Sequence, residues 1–194
     1  MEIDNLTVLR AVSAILDDLE IVHAVGGSWA SGLYGEPRFT RDADISVEPF
    51  PGKETLLVRR FEPPDYYVNL DAVRQAVRER STFNIIHVTS GFKVDLFVRK
   101  ERAFERSVLE RRSRSCLPDG TETPFPLVSP EDIILLKLEW YRLGGEISDR
   151  QWSDVLGVLR VQAPDLDRAY LTQWAEALGV RDLLDRAVSE ADSP

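Results

Sequence analysis

The sequence predicts an α/β protein in which helices flank a β-sheet over residues 1–128 and a helical region follows over residues 129–194. Three observations support this fold class. In the first part, short apolar runs typical of buried strands alternate with amphipathic segments. Within it, the runs FNIIHV and FKVDLFV are separated by Thr89-Ser90-Gly91, which is a hairpin signal. Beyond Ser129, the apolar residues recur at the three- and four-residue spacing of helices.

The first predicted element is an amphipathic helix, with Asp4 or Asn5 as its N-cap. Its apolar residues recur at intervals of three and four positions: Leu6, Leu9, Val12, Leu16 and Leu19. The apolar run Ile21–Val25 predicts a strand covered on both sides, and Gly26-Gly27 ends it. His23 lies inside this run, so we interpret it as a hydrogen-bonded core histidine.

Ser28 is predicted to cap a short helix that runs to Tyr34, because its hydroxyl can accept a hydrogen bond from a backbone N–H. The later elements of the first part follow from apolar spacing and from the placement of Pro, Gly and acidic residues. In chain order they are a loop over Gly35–Phe39, a strand over Ala43–Val47, an excursion from the sheet over Glu48–Tyr67 with a helix at Lys53–Phe61, a helix over Leu70–Arg80, the hairpin, a helix over Ala103–Arg112, and short strands within Ser113–Leu127.

The C-terminal part starts with Ser129-Pro130-Glu131-Asp132, which combines a serine cap, proline at the first helical position and acids in the first turn. Ser148 and Gln151 form a second capping box. Three further apolar stripes have helical spacing: Trp152, Val155, Leu156 and Leu159; Tyr170, Trp174 and Leu178; and Val180, Leu183, Leu184, Ala187 and Val188. We therefore expect this part to be all-helical.

The composition is that of a globular protein with an acidic surface. The 194 residues are 43% hydrophobic and carry a net charge of -9. Surfaces that hold nucleic acid nonspecifically are normally basic, so we expect no strong nonspecific nucleic-acid binding. The single cysteine, Cys116, cannot form an intramolecular disulfide, and we interpret it as an inert packing residue. The sequence shows neither the pattern of a signal peptide nor an apolar run that could span a bilayer, so we expect a cytoplasmic protein without membrane association.

Asp42 and Asp44 are candidate metal ligands. They lie two residues apart on a predicted strand, so their side chains point to the same side. Adjacent carboxylates repel each other unless a cation lies between them, and Mg²⁺ prefers oxygen ligands of this kind. The same pattern is common in solvated surface pairs, so alone it allows a metal site without requiring one.

The turn Gly26-Gly27-Ser28 is a candidate phosphate-binding site. It ends a strand and opens a helix, where backbone N–H groups and a hydroxyl favour an anion. Glycine lets a ligand approach the backbone closely. An ordinary strand-to-helix turn explains the same residues, so this feature also needs a second signal.

The segment GGSWASGLYGEPRFTRDADISV resembles the signature of the polymerase-β-like nucleotidyltransferase superfamily. That signature is a strand, a G-[GS]-[ST] turn with a short helix, a spacer of about ten residues, and two acids on the next strand. The KVDLFV segment, with Asp95 inside an apolar run, is similar to the family's third acid-bearing strand. The resemblance covers roughly residues 20 to 100 and implies a mixed nucleotidyltransferase-type sheet. It is strongest to small bacterial and archaeal members, which include toxin–antitoxin enzymes and antibiotic-modifying enzymes.

The resemblance also implies a mechanism. Two Mg²⁺ ions about 4 Å apart would be bound by Asp42, Asp44 and Asp95 and would hold a nucleoside triphosphate, with pyrophosphate as the leaving group. Asp95 would accept the proton of an attacking hydroxyl. Ser28 and the Gly27 amide would bind the triphosphate tail.

Two functional hypotheses follow. The first is a nucleotidyltransferase that acts on a hydroxyl acceptor, which is a small molecule, a protein side chain or an RNA end. The second is a nucleotidyltransferase-like module that binds a nucleotide or a partner protein without catalysis. The long excursion between Asp44 and Asp95 departs from the family pattern and leaves the acceptor open.

Lys137 is the most informative residue of the helical part. On a helical wheel it lies with Ile133 and Tyr141, opposite the face that carries Asp132. A charge on that apolar face must be paired, must snorkel to water or must serve a ligand, and the functional interpretation is contact with the triphosphate. Tyr141 either belongs to the core or stacks on the base.

Four further charged residues are weaker candidates. Lys93 shares a strand face with Asp95, so it either neutralises the carboxylates or contacts phosphate. Arg38 and Arg41 are interpreted as loop residues near the acids. Asp154 lies opposite the Trp152 stripe and is expected to be solvated or interdomain.

Overall fold

The computed structural model describes residues 5–61, 63–115 and 125–192. Cys116 and the predicted cap Asp4 lie outside these described residues. The chain divides into two units: Met1–Val25 with Thr40–Leu127, and Gly26–Phe39 with Val128–Pro194. The predicted domains 1–128 and 129–194 stay a prediction, but the compact units follow a different division, because Gly26–Phe39 groups with the C-terminal helices.

The first unit contains a mixed sheet, which has seven strands within the described residues. The strands are β1 (His23–Val25), β2 (Asp42–Val47), β3 (Tyr66–Tyr67), β4 (Thr82–His87), β5 (Phe92–Val98), β6 (Ser113–Ser115) and β7 (Phe125–Leu127), in the spatial order β3-β4-β5-β2-β1-β7-β6. β2 runs parallel to β5, and β1 runs parallel to β7, while the other pairs are antiparallel. This confirms the predicted fold class. The prediction that Glu48–Tyr67 lies outside the sheet is wrong at its end, because Tyr66–Tyr67 forms β3 and pairs with β4.

Helices complete both units. The first unit has α1 (Asn5–Asp18), α3 (Glu54–Arg59), α4 (Leu70–Glu79) and α5 (Ala103–Glu110), and the second has α2 (Gly27–Tyr34), α6 (Pro130–Leu143), α7 (Asp149–Gln162), α8 (Arg168–Ala177) and α9 (Arg181–Ala191). Several ends differ by one to three residues from the predicted ones, because apolar spacing marks the interior of an element better than its ends. None of the helices within the described residues is long and apolar enough to cross a membrane.

The buried side of the sheet follows the alternation of its sequence. On β2, Ala43, Ile45 and Val47 are fully buried, and on β5 Val94 and Leu96 are as well. Side chains at the intervening positions point to the other face and are partly open to solvent. One face therefore builds the core of this unit, and the other carries the polar residues.

His23 is a core histidine, as expected. It is 2% exposed, its Nδ1 donates to the carbonyl of Ile21 over 2.9 Å, and its Nε2 lies 2.7 Å from the Ser13 hydroxyl. Both ring nitrogens are therefore satisfied by neighbours within the same unit. Burial lowers the pKa of His23, and the hydrogen bond to the Ile21 carbonyl opposes this effect only in part.

The start of α6 confirms one expectation and corrects another. The Ser129 hydroxyl accepts the backbone N–H of Asp132 over 3.2 Å, as a serine cap should. Asp132, placed by the helical wheel opposite the apolar face that carries Lys137, is 0% exposed. Its carboxylate accepts hydrogen bonds from the Ser129 hydroxyl at 2.7 Å and the Tyr170 hydroxyl at 2.6 Å. The charge is buried because α8 packs against α6 and brings a donor to it.

Candidate active site

The first unit carries a row of charged side chains on β2 and β5. The parallel register places Asp42 beside Lys93 and Asp44 beside Asp95. Neighbouring strands lie about 4.8 Å apart, and paired positions point to the same face. The core residue Ala43 points to the opposite face. All three predicted carboxylates of this unit therefore share one face with Lys93.

Contacts within this row neutralise part of its charge. Lys93 Nζ lies 2.6 Å from Asp95 Oδ2, and the Thr40 hydroxyl donates to Asp42 Oδ1 over 2.9 Å. The hydrogen bond to Asp95 raises the pKa of Lys93, partial burial opposes the rise, and the charges of Asp95, Asp42 and Asp44 add to it. Of the two roles considered for Lys93, the structure shows the neutralising one.

The chemistry of the carboxylate row fits Mg²⁺. Within the described residues, no group of three or more His, Cys, Asp or Glu side chains is already arranged around a metal position. The donors are nevertheless hard oxygens, two of them paired in register on adjacent strands. A cation, the Lys93 ammonium, already binds to this row. The three carboxylates thus have the donor chemistry that Mg²⁺ prefers, and their binding of the ion stays a prediction.

The second unit contains the glycine turn. Gly26 is the N-cap of α2, and Gly27 has a φ of 54°, a left-handed conformation that a side chain disfavours. The expectation that Ser28 caps this helix is wrong, because no side chain caps it. The Ser28 hydroxyl instead accepts a hydrogen bond from Arg38. The helix therefore starts at two glycines and has no side-chain cap. Because glycine has no side chain, an anion can approach the backbone closely there.

A buried ion-pair network lies in the same unit. Asp154 Oδ2 is 2.7 Å from Lys137 Nζ, and Arg38 donates to both carboxylate oxygens of Asp154 over 3.0 Å and 3.1 Å. Lys137 also donates to Gln151 Oε1 over 3.1 Å. With the bond from Arg38 to Ser28, this network joins α2, α6 and α7.

Asp154 is not solvated, which excludes one of the two alternatives expected from the sequence, while the interdomain alternative stays a prediction. The side chains of Lys137 and Asp154 are 7% and 8% exposed, respectively. Burial alone would raise the pKa of Asp154, but hydrogen bonds from Arg38 and Lys137, together with their charges, lower it. Arg38, interpreted from the sequence as an incidental loop residue, is thus a specific partner of this carboxylate.

Tyr141 packs within the helical unit. It is 9% exposed, and its ring lies 5.2 Å from that of Trp152. The Arg186 guanidinium lies 3.9 Å from the Trp152 ring centroid and donates to the Tyr141 hydroxyl over 3.4 Å. These contacts favour the core interpretation of Tyr141, while its role in binding the base stays a prediction.

Sequence reasoning missed Arg38 and Asp154 as partners. One signal was present: pairing with an acid was among the alternatives for a lysine on an apolar face. Asp154 stands in α7 between the apolar residues Trp152 and Val155, which marks a charge close to a buried stripe. The acid that forms an ion pair with Lys137 depends on how α6 packs against α7, and the sequence does not show that packing.

Comparison with solved structures identifies the fold. No protein-family model matches the chain, and no curated protein matches it in sequence. The crystal structure of ANT(2'')-Ia in complex with adenylyl-2''-tobramycin is 18% identical, with a TM-score of 0.53 over 91% of this chain and 97% of that one. An antigenic nucleotidyltransferase-like protein from Paracoccidioides brasiliensis is 20% identical, with a TM-score of 0.53 over 95% and 92% of the two chains.

Both similarities extend over nearly the whole of each chain, so they include the helical part as well as the sheet. The sequence resemblance covers roughly residues 20 to 100, whereas the structural similarity also covers the C-terminal helices. Together with the mixed sheet, they show that the chain has the fold of these two proteins.

Proposed function

We propose that this protein is a Mg²⁺-dependent nucleotidyltransferase that transfers a nucleoside monophosphate from an NTP to a hydroxyl acceptor and releases pyrophosphate. The observation that carries the proposal is the register of β2 and β5, which pairs Asp44 with Asp95 and sets Asp42 on the same face. A structural protein has no need of three clustered carboxylates, because their repulsion lowers its stability. A metal-dependent enzyme does need them.

Each carboxylate has a role in this proposal. Asp42 and Asp44 hold the divalent ions, with Asp95 as a further ligand. When bound, the ions would stabilise the negative charge that develops on the transferred phosphoryl group. Asp95 accepts the proton of the acceptor hydroxyl, which makes the oxygen a better nucleophile. These assignments explain why the acids lie on the open face of the sheet and not in its core.

The second unit itself carries groups that suit a triphosphate. The N-terminus of α2, from Gly26 to Ser28, offers backbone N–H groups to phosphate oxygens. Lys137, whose ammonium is paired with Asp154, is the cation that we propose for contact with the triphosphate. The structure adds Arg38, whose guanidinium hydrogen-bonds Ser28 and can bind phosphate in a bidentate manner. Asp154 would hold both cations in fixed orientations before the nucleotide arrives.

A small hydroxyl compound is the acceptor that we favour. The solved structure of ANT(2'')-Ia contains an adenylylated tobramycin, which is a small-molecule product. The net charge of -9 also disfavours an extended polyanionic acceptor, so a protein side chain ranks second and an RNA end third. The proposal keeps the cytoplasmic location that the single cysteine favours.

The test compares wild-type protein with Asp44→Asn and Asp95→Asn variants. Each is incubated with Mg²⁺, α-labelled NTPs and a cell extract, and mass spectrometry identifies the compound that gains a nucleotide mass. We expect turnover by the wild type and a loss of more than about 100-fold in each variant. Asp71→Asn is the matched control, because the Asp71 side chain is 93% exposed on α4. Full turnover by Asp44→Asn or Asp95→Asn would contradict the proposal.

The alternative function is a non-catalytic module that binds a nucleotide or a partner protein. The intact carboxylates at all three positions disfavour it, since binding alone does not require them. Calorimetric titration with each NTP, with and without Mg²⁺, separates the two functions when it is combined with the turnover assay. Nucleotide binding without pyrophosphate release in the presence of the extract would support the module.

A further inference from the structure

Lys93 occupies an unusual position among the three carboxylates. It lies on β5, beside Asp42 on β2 and two residues before Asp95, so all four charged side chains share one face. Its ammonium is 2.6 Å from Asp95 Oδ2. One of the proposed metal ligands is therefore paired with a cation that belongs to the protein.

The Lys93 ammonium reduces the repulsion within this row of carboxylates. Asp42, Asp44 and Asp95 lie on one face of two adjacent strands, and neighbouring carboxylates repel each other unless a cation is present. The Lys93 ammonium, 2.6 Å from Asp95 Oδ2, is such a cation.

We propose that Lys93 is a built-in counterion of the metal site, which binds Asp95 when the metal is absent and leaves it when a divalent cation binds. This inference rests on the proposed function. An ammonium has donors only and cannot itself bind a metal, so it and the ion compete for the same Asp95 oxygen. The Lys93 side chain is 41% exposed, and its flexible stem allows the ammonium to move away.

Displacement also links the two roles that the sequence allowed for Lys93. Without metal, the ammonium neutralises carboxylates. Once displaced, the same cation remains on the open face of the sheet, where it can pair with a phosphate oxygen of the bound nucleotide. Metal and nucleotide together would then replace one ion pair by two, which favours binding of the metal–nucleotide complex over the free metal.

The variant Lys93→Met separates a counterion from a merely structural lysine. Methionine retains much of the apolar stem but removes the charge. For a counterion, the metal-free protein becomes less stable, because the carboxylates lose their cation, while the metal binds more tightly, because its competitor is gone. A structural lysine predicts the loss of stability alone. The two measurements thus move in opposite directions only if Lys93 competes with the metal.

The experiment measures Mn²⁺ and Mg²⁺ binding by calorimetry on the full chain without nucleotide, and thermal unfolding with EDTA or with saturating metal. For Lys93→Met we expect a dissociation constant about 10-fold lower than that of the wild type and a lower melting temperature in EDTA. Saturating metal should remove most of that difference. Lys93→Arg, which keeps the charge, and Lys100→Met, which removes an exposed lysine beyond the end of β5, should both resemble the wild type.

The outcomes distinguish this inference from the proposed function. Metal binding by the wild type with unchanged or weaker affinity in folded Lys93→Met overturns the counterion role and leaves the nucleotidyltransferase proposal in place. Absence of metal binding in both proteins, with and without NTP, removes the metal site itself and overturns both.

Discussion

Lys137 shows how one buried charge implies another. The sequence places it on an apolar helix face, and a lone ammonium there would be very costly. The structure supplies Asp154, itself held by Arg38, so each charge of the network has an opposite charge within 3.1 Å. The need for a partner could be predicted from the sequence. The identity of the partner could not, because it depends on which turn of α7 faces α6.

Asp154→Ala tests the strength of this network. The change leaves Lys137 buried without its carboxylate, and breaking a buried pair in this way costs about 3 kcal/mol. Because the folded-state pKa of Asp154 lies below its ordinary value of 3.8, its contribution is present above that pH and is lost as the pH falls below it. Urea denaturation at several pH values measures both effects. Asp182→Ala, at an exposed partner of Arg142, is the control and should change stability little.

His23 gives a second prediction for pH dependence. Burial lowers its folded-state pKa below the ordinary 6.5, so between these two values the unfolded chain binds a proton that the folded chain does not. Stability should therefore fall as the pH drops below 6.5, until the folded-state pKa is reached. Urea denaturation at about pH 7.5 and about pH 5.5 should show this loss in the wild type. His23→Gln should be less stable at both pH values but should lose less between them; an identical loss would assign the effect to other groups.

At the scale of elements, the glycine turn at the start of α2 could be predicted from the local sequence, whereas the hydrogen bond of Ser28 depends on tertiary packing. The glycine turn could be predicted, since only glycine readily adopts the left-handed conformation of Gly27. The role of Ser28 could not, because its hydroxyl is taken by Arg38, ten residues along the chain. Likewise, alternation places Asp95 on a charged face, but the parallel register of β2 and β5 that sets it beside Asp44 is a long-range pairing.

Gly35→Ala tests the packing of α2 against α7. A Cβ at Gly35 would lie 2.7 Å from the backbone carbon of Gly157 and the backbone nitrogen of Val158, so the helices must move apart. We expect destabilisation of about 1–3 kcal/mol in urea denaturation. Gly32→Ala, inside α2 and three residues before the C-cap Gly35, is the control, because the nearest neighbour of its Cβ would be at an ordinary 3.6 Å. There alanine should stabilise by up to about 1 kcal/mol through helix propensity. Equal effects of the two changes would contradict the close approach.

At the scale of the whole molecule, the order and type of the elements could be predicted almost completely from apolar spacing and capping residues. The grouping of Gly26–Phe39 with Val128–Pro194 could not. That segment follows a strand of the sheet directly in sequence, and its partners, α6 and α7, lie about 100 or more residues further along the chain. Local patterns report which face of an element is buried, but not which distant element covers it.

The net charge of -9 leads to the last prediction, that the protein does not bind long nucleic acids nonspecifically. Such binding requires lysine and arginine side chains to displace counterions from the phosphates, and this chain has 24 of these residues against 33 acidic ones. A filter-binding assay with duplex DNA and long RNA at about 0.1 M salt should detect no retention, while a basic protein of similar size should retain both. Retention of nucleic acid that weakens steadily with added salt would show that this acidic protein has a basic stripe on its surface. An RNA end would then replace a small molecule as the favoured acceptor.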